Sequence, residues 1–409
     1  MNDRSDAIMI HERAVVAFAS LQIIALIYLQ KFALGGSSFP IPVPFLIMLA
    51  SVGWMVVSRN LSFAAPRLAS YMIFVTCCLW SQSLSGGSLS SLVELILLYG
   101  PMTLCANVSE RTYRHILDKF TMFMISPAYV IIVQYAYQKL TGFSDPISMD
   151  RIIPKSVLLQ GFFYEAHYPW NSTFQRPNGF FFLEPSFASA FTASAAIIEI
   201  TYFRRPYRLT LMLVATVLSM GATGISMLLI AAPFLLARET PRVGVTVAIA
   251  AVIALAAVYM FNVPLPLISR VDELHKDDSS GGGRLMLPAL QFVTLLFDPS
   301  YLLTGDGAGS VTPSNGGVGV TLMLAWPIVK LINEYGLLTM TSFVIFYMSG
   351  IVGNFNLPLK VTLSIVYFFT GGYLLTPNLV GLLAILCFIV APMKGQQLHA
   401  RHLLRQRPV

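Results

Sequence analysis

The sequence predicts an all-α polytopic membrane protein, and three observations carry that prediction. Hydrophobic residues make up 56% of the 409-residue chain, and mean hydropathy is +0.71, far above an ordinary globular domain. Only 11% of residues are charged, and they gather between the apolar stretches. Runs such as VGVTVAIAAVIALAAVYMF, residues 243–261, are long enough to cross about 30 Å of hydrocarbon as helix.

Taken in chain order, the amino-terminal segment MNDRSDAIMIHER carries acidic residues and runs into a full-length apolar stretch. It has no small-residue cleavage site, so the first helix, residues 14–31, is expected to be retained. Further spans are expected at 41–57, 68–85, 89–107 and 120–138. A first large outer loop covers 139–185, and spans follow at 186–203, 209–236 and 243–262. A second large outer loop, 263–335, precedes spans at 336–353, 361–375 and 378–393. With the amino terminus inside, most Lys and Arg residues fall in the inner segments, as the positive-inside rule asks.

Residues 209–236 resist a single crossing, because basic FRRPYR precedes them and basic ARETPR follows. Their centre, SMGATGIS (Ser219 to Ser226), is rich in glycine and small polar residues. Two readings stand: one long tilted helix, or a hairpin of two short helices that turns near Gly221, where protein or water must surround the turn. The hairpin gives about twelve membrane helices, both termini cytoplasmic and two large periplasmic loops. The first loop is rich in aromatic residues (GFFYEAHYPW, NGFFF), which argues for order. The second ends in TLMLAWPIVKLINEYG, an expected interfacial helix. The four cysteines, Cys77, Cys78, Cys105 and Cys387, lie inside apolar runs without metal-ligand spacing and read as small packing residues.

Polar chemistry concentrates in the two loops. In QRPNGFFFLEPSFASAF, Arg176 and Glu184 are eight residues apart, with Pro177, Gly179 and Pro185 shaping the backbone. Glu184 is expected at the mouth of the next helix, where the dipole favours a carboxylate whether or not it has a chemical role. The stretch RVDELHKDDSSGGGR has Arg270 and Arg284 at its ends, and guanidinium groups suit bidentate contact with phosphate oxygens. Between those ends, His275 stands among Asp272, Glu273, Asp277 and Asp278 in a spacing that matches no metal site, so this middle reads as a solvated turn. LLTGDGAGS supplies Gly305, Asp306 and Gly307; it lacks the Lys-Ser/Thr pair of a Walker loop and reads first as a surface turn. Glu94 is expected inside the bundle with no basic partner in the spans, and Glu199 within reach of Arg204 and Arg205.

In order, RPNGFFFLEPS, the small-residue SMGATGIS, Arg270, SSGGGR, GDGAG and INEYGLL resemble the O-antigen polymerase and ligase superfamily. That superfamily includes Wzy-type repeat-unit polymerases and exopolysaccharide polymerases. The resemblance is strongest over residues 170–340; residues 1–138 match mainly in hydropathy. It implies a GT-C-like, metal-independent inverting glycosyltransferase of the bacterial inner membrane, acting at the periplasmic face without a cofactor. Its donor and acceptor would be undecaprenyl-pyrophosphate-linked glycans in a setting of membrane lipids, with a chain-length-regulating co-polymerase as a further partner and no nucleic acid. The family's pyrophosphate-binding arginines carry over to Arg176, Arg270 and Arg284, with Gly305 and Gly307 beside them. Glu184 is the first choice as general base and Asp306 the second. Ligases of the superfamily often carry a histidine about a dozen residues before the glycine of the NEYG-like segment; TLMLAWPIVKLINEYG has none, which favours the polymerase. A ligase, or a flippase for lipid-linked oligosaccharide, is the alternative. Phe180 to Phe182, Tyr164, Tyr168 and Trp170 are candidates for stacking on sugars or for packing.

Overall fold

The computed structural model describes residues 2–35, 40–142, 147–159, 162, 167, 174–236, 286–311, 325–351, 356–370 and 372–392. The expected span at 243–262, Arg270, Arg284, the acidic stretch between them, and Tyr164, Tyr168 and Trp170 lie outside the described residues.

The described chain is mostly helical. The first half holds α1 (Asn2–Tyr28), α2 (Val43–Val57), α3 (Ala65–Ser85), α4 (Leu89–Tyr99), α5 (Glu110–Phe123) and α6 (Ile125–Thr141). Then come α7 (Pro185–Ile198), α8 (Pro206–Leu218), α9 (Ala222–Leu236), α10 (Leu287–Leu296), α11 (Pro327–Tyr335), α12 (Leu337–Ile351), α13 (Leu357–Phe369) and α14 (Pro377–Leu383). Proline in the first turn is the recurring start signal, at Pro66, Pro185, Pro206, Pro327, Pro358 and Pro377. Its fixed φ suits the helix, and its missing N–H falls where no intrahelical acceptor exists. Two other helices are capped by serine hydroxyls. Ser88 accepts the Ser91 N–H at the start of α4, and Ser109 the Thr112 N–H at the start of α5.

Among the described residues, four stretches are long and apolar enough to cross a membrane: Met9–Tyr28, Ala65–Ser85, Glu110–Thr141 and Pro185–Phe203. They occupy different depths of the bundle. The best window of Ala65–Ser85 is 28% buried, and Met72, Ile73, Leu79, Trp80 and Leu84 face outward as lipid-facing side chains do. The corresponding window of Pro185–Phe203 is 78% buried, which makes α7 the central helix, surrounded by α8, α9, α13 and α5. Small residues (Ala188, Ser189, Ala193, Ser194, Ala195) let those neighbours approach. A second packing centre is aromatic: Phe74 and Phe343 meet at 5.1 Å, and Tyr347 stacks on Tyr367 at 5.6 Å. The Tyr99 hydroxyl, fully buried there, bonds the Tyr367 hydroxyl and donates to the Leu374 carbonyl at 2.7 Å.

The all-helical expectation is corrected at both ends of this core. Residues expected to finish a span over 89–107 instead form a short 3₁₀ turn, Gly100–Thr103, and a strand, Leu104–Val108. This strand pairs antiparallel with Ser62–Phe63 and parallel with Val390–Pro392. Pro101 stops the helix, and the pairing satisfies backbone groups freed by the stop. Arg67 ties the corner together by donating to the carbonyls of Phe388 (2.7 Å) and Leu104 (3.2 Å). The expected last span, 378–393, is helical only to Ile389, its second half as π-helical turns. The expected span at 120–138 belongs to a longer unit that begins at Glu110 and is broken at Met124.

Candidate functional site

Two loop-to-helix joints hold the described candidate residues. The first is the mouth of α7. The loop Gln175–Glu184 is held by glutamine side chains, which can both donate to and accept from backbone. On α6, the Gln138 Oε1 accepts the Gln175 N–H at 2.7 Å, and its Nε2 donates to the Gln175 carbonyl at 2.9 Å. One turn earlier, Gln134 Oε1 accepts the Gly179 N–H at 2.8 Å, and Gln30 Oε1 accepts the Leu183 N–H at 3.3 Å. Asn178 Oδ1 accepts the Phe180 N–H at 3.1 Å, closing a turn in which Phe180 takes a left-handed φ of 67°. Phe182 and Leu183 are fully buried, and Phe181 meets Tyr28 edge-on at 4.9 Å. These rings therefore pack in the bundle; Phe180 and Phe181 retain part of their surface.

Arg176 and Glu184 bracket this segment. Arg176 is half-buried, and its Nη2 reaches the His167 carbonyl at 3.5 Å. Glu184 occupies the N-cap position of α7 in extended conformation; its carbonyl accepts the N–H groups of Phe187 and Ala188 at 3.1 and 3.2 Å. Its carboxylate accepts the Ser186 hydroxyl at 3.0 Å and leaves the first-turn N–H groups to other partners.

The break between α8 and α9 falls at Ser219–Gly221, inside the small-residue centre singled out above, and sits against the same mouth. A Cβ on Gly221 would fall on the Ser189 hydroxyl and within 2.6 Å of the Pro185 carbonyl. The Ser189 hydroxyl accepts the Gly224 N–H at 3.1 Å, and lower down Thr216 donates to Thr192 at 2.8 Å. Met220 takes the turn with a positive φ of 54°. Both α8 and α9 pack on α7, so the amino-terminal ends of α7 and α9 meet at Ser189.

The second joint is built by GDGAG. Asp306 N–H donates to the Asn333 carbonyl at 2.7 Å and Gly307 N–H to the Glu334 carbonyl at 3.1 Å, which pins the loop on the end of α11. On its other side, Ala308 bridges Gly87, and its carbonyl accepts the Ser88 N–H at 2.7 Å, the entry to α4. Gly305 leaves no room for a side chain: a Cβ would fall on the Asn333 carbonyl and lie 2.6 Å from Tyr335 N. Gly307 has φ +97° and lies against Gly86. Both glycines are thus explained by close backbone contact within the joint. The Asp306 carboxylate is exposed and accepts the Tyr301 hydroxyl at 2.8 Å. Burial, together with that carboxylate, pushes the Tyr301 phenol up to about 12.

Beneath this loop lies a cluster that sequence reasoning missed. Lys330 on α11 stands 3.7 Å from Glu334 one turn on, and its charge also reaches Glu94 on α4. Glu94, read as having no basic partner in the spans, feels the charge of Lys330 from the segment that precedes α12. Glu334 is 1% exposed; burial pushes its carboxyl up, opposed by Lys330 and by the N–H groups of Gly309 and Val311. The i,i+4 spacing of Lys330 and Glu334 was the available signal. Bringing the Lys330 charge toward Glu94 needs two elements more than two hundred residues apart.

A scan against protein-family models finds no match, and a search of curated proteins finds none. The remaining link between the two joints is Gly372–Leu374. Tyr373 meets Phe187 on the first turn of α7 at 5.8 Å, and Gly372 N–H donates to the Ala325 carbonyl just before α11 at 2.9 Å. At the opposite end of α7, Glu199 is fully buried and takes two bonds from Arg205 (2.7 and 3.1 Å), which also pairs with Asp118 at 2.6 Å. That network is the structural ion pair expected for Glu199, with Arg205 as the partner.

Proposed function

We propose that this chain is a membrane glycosyltransferase of the O-antigen polymerase type, joining undecaprenyl-pyrophosphate-linked repeat units at the periplasmic face of the bacterial inner membrane. About twelve spans with both termini cytoplasmic and the two large loops periplasmic belong to this reading. The observation that carries it is the mouth of α7, where one braced loop runs from Arg176 to Glu184 at the N-cap and the amino terminus of α9 packs on the same helix at Ser189. Helix amino termini and a guanidinium both favour an anion. Such a corner suits a pyrophosphate leaving group better than it suits a cation or an apolar cargo.

The chemistry follows from those parts. A sugar hydroxyl of the acceptor attacks the anomeric carbon of the donor, forming the new C–O bond as the bond to the pyrophosphate oxygen breaks. The electron pair leaves with the lipid pyrophosphate, and Arg176, with Arg270 and Arg284 in the proposed set, stabilises the charge that grows there. Glu184 accepts the hydroxyl proton, a role worth roughly 10²–10⁴-fold in rate. Asp306 is the alternative base. Reconstitution of the purified chain with lipid-linked repeat units tests the reading. A ladder of products supports polymerisation. A single transfer to a different acceptor supports a ligase, and movement across the bilayer without bond formation a flippase.

A further inference from the structure

The proposed chemistry uses the loop-bearing end of the bundle, and a pair of arginines at the opposite end belongs to none of it. Helices α1 and α5 pack side by side and run in the same direction. Near their starts, Glu12 Oε1 accepts the Ser109 N–H at 2.9 Å and its Oε2 accepts the Thr112 hydroxyl at 2.6 Å. Further along, the Tyr28 hydroxyl donates to the Phe123 carbonyl at 2.8 Å. When two parallel helices face each other through Glu12 and Thr112, the residue after the first and the residue before the second turn to the same side, each by about 100°. Those residues are Arg13 and Arg111, and both are exposed. His115, one turn beyond Arg111, is exposed on that side as well.

Two observations set this pair apart from ordinary surface arginines. Neither forms an ion pair with a described residue, because the acids nearby are committed elsewhere. Glu12 serves Ser109 and Thr112, Glu110 pairs with Arg114 at 2.8 Å, and Asp118 pairs with Arg205 and Arg208 at 2.6 and 2.9 Å. In addition, Arg13 interrupts an apolar outward face. Met9 and Ile10 are exposed one turn before it and Leu21 two turns after it, and the membrane-length stretch Met9–Tyr28 already begins at Met9. An ionised group at a lipid-facing position needs a counter-charge, since hydrocarbon solvates it poorly. The axes of packed helices lie about 8–10 Å apart, a gap that two arginine side chains can close onto one phosphate. Their planar forks suit its oxygens.

We propose that Arg13 and Arg111 clamp the phosphate of an anionic phospholipid, whose acyl chains run along the apolar outward face of α1. Two uncompensated positive charges favour a head group of net negative charge over phosphatidylcholine or phosphatidylethanolamine, whose own cations are repelled. Arg13 precedes Tyr28, the end of α1, by about 22 Å of helical rise, and Gln30 just beyond accepts the Leu183 N–H at the mouth of α7. The lipid site therefore lies most of a bilayer away from that mouth, and it does not depend on the glycosyltransferase reading.

The test uses the full chain in phosphatidylcholine nanodiscs with a trace of phosphatidylglycerol that carries a diazirine near its head group, and in parallel the matching phosphatidylcholine probe. The expected result is phosphatidylglycerol labelling within residues 9–17 and 110–116 that excess unlabelled phosphatidylglycerol removes, with weaker labelling there by the phosphatidylcholine probe. Arg13→Gln and Arg111→Gln each lower that labelling about fivefold, the effect of one basic side chain at an anionic surface, and the double variant about 25-fold. Both positions are exposed, so melting temperatures stay at the parent value. Arg59→Gln controls for bulk charge. Arg59 is exposed at the same end, but it adjoins Asn60, whose Oδ1 meets His11 Nδ1 at 3.1 Å, and His11 is about 200° around α1 from Arg13. Arg59→Gln leaves the labelling unchanged. Equal labelling by the two probes overturns the proposal, as does labelling that survives the double variant. An equal loss from Arg59→Gln overturns it too, because attraction spread over the whole end would then replace a clamp. Displacement of the probe by soluble glycerol 1-phosphate as readily as by phosphatidylglycerol overturns the lipid as occupant.

Discussion

Replacing Gly305 with alanine separates a glycine that builds a joint from one that touches substrate. The new Cβ would fall on the Asn333 carbonyl, 2.5 Å from the Glu334 carbonyl carbon and 2.6 Å from Tyr335 N, all backbone atoms at the end of α11. No flexible side chain is there to yield, so the loop or the helix end must move. Overpacking of this kind costs about 1–3 kcal/mol. If the loop lifts, the bonds from Asp306 N to Asn333 and from Gly307 N to Glu334 stretch or break, about 1 kcal/mol each. The expected loss is therefore about 3–5 kcal/mol. Thermal unfolding in detergent, followed by a thiol-reactive dye, reads it through Cys78, which is fully buried and neighbours Tyr335. Asp306→Ala is the comparison: its side chain is exposed and its backbone bond is kept, so its loss should stay within about 0.5 kcal/mol. A Gly305→Ala protein that melts like its parent refutes the joint. If it also fails to bind lipid-linked glycan, the glycine serves the substrate after all.

Four further outcomes are expected. Arg176→Ala abolishes long-chain product while the protein still inserts and purifies as a bundle, and Arg176→Lys restores little because an ammonium lacks the guanidinium fork; normal ladders from Arg176→Ala would remove its pyrophosphate role. Glu184→Gln keeps the Ser186 contact geometry and lowers the transfer rate by roughly 10²–10⁴-fold, measured by single-turnover transfer; a near-parent rate moves the base elsewhere. Glu334 has a folded-state pKa raised above 4.5, so the folded protein binds more protons than the unfolded one in that interval, and stability falls as pH rises through it. Glu334→Gln should flatten this fall in a series of melting curves, and an unchanged slope contradicts it. Arg205→Ala leaves the buried Glu199 carboxylate, among the described residues, with Arg208 at 3.9 Å as its cation and should cost about 3–5 kcal/mol of stability; a melting temperature equal to the parent's would count against that ion pair.

The candidate site was legible in the sequence to unequal degrees. Glu184 was expected at a helix mouth because Pro185 follows it and an apolar run begins there, and it is the N-cap of α7. Of the two readings for 209–236, the one that breaks the helix at its glycine-rich centre matches the structure, where the break falls at 219–221. Glu199 was expected to meet the arginines that follow it, and it pairs with Arg205 six residues on. In each case the partners are close in sequence, so local composition held the information. For Glu94 the spans offer no cation, and the one whose charge reaches it, Lys330, comes from a distant segment whose docking no local pattern predicts. GDGAG was read as a turn with a substrate role, yet its glycines are accounted for by Gly86, Asn333 and Tyr335, three residues from two other elements.

By itself the sequence determined that this chain is a helical bundle with several apolar, membrane-length stretches, because hydropathy and proline or serine at helix starts are local properties. It also determined which loops hold the charged groups. Tertiary structure alone decided that α7 is central, that 104–108 pairs as strand with 62–63 and 390–392, and that GDGAG locks α4 to α11. Those outcomes depend on which backbone groups find partners across long separations. In a chain so uniformly apolar, hydrophobicity marks what is buried or lipid-facing, and close contacts and hydrogen bonds choose the neighbours.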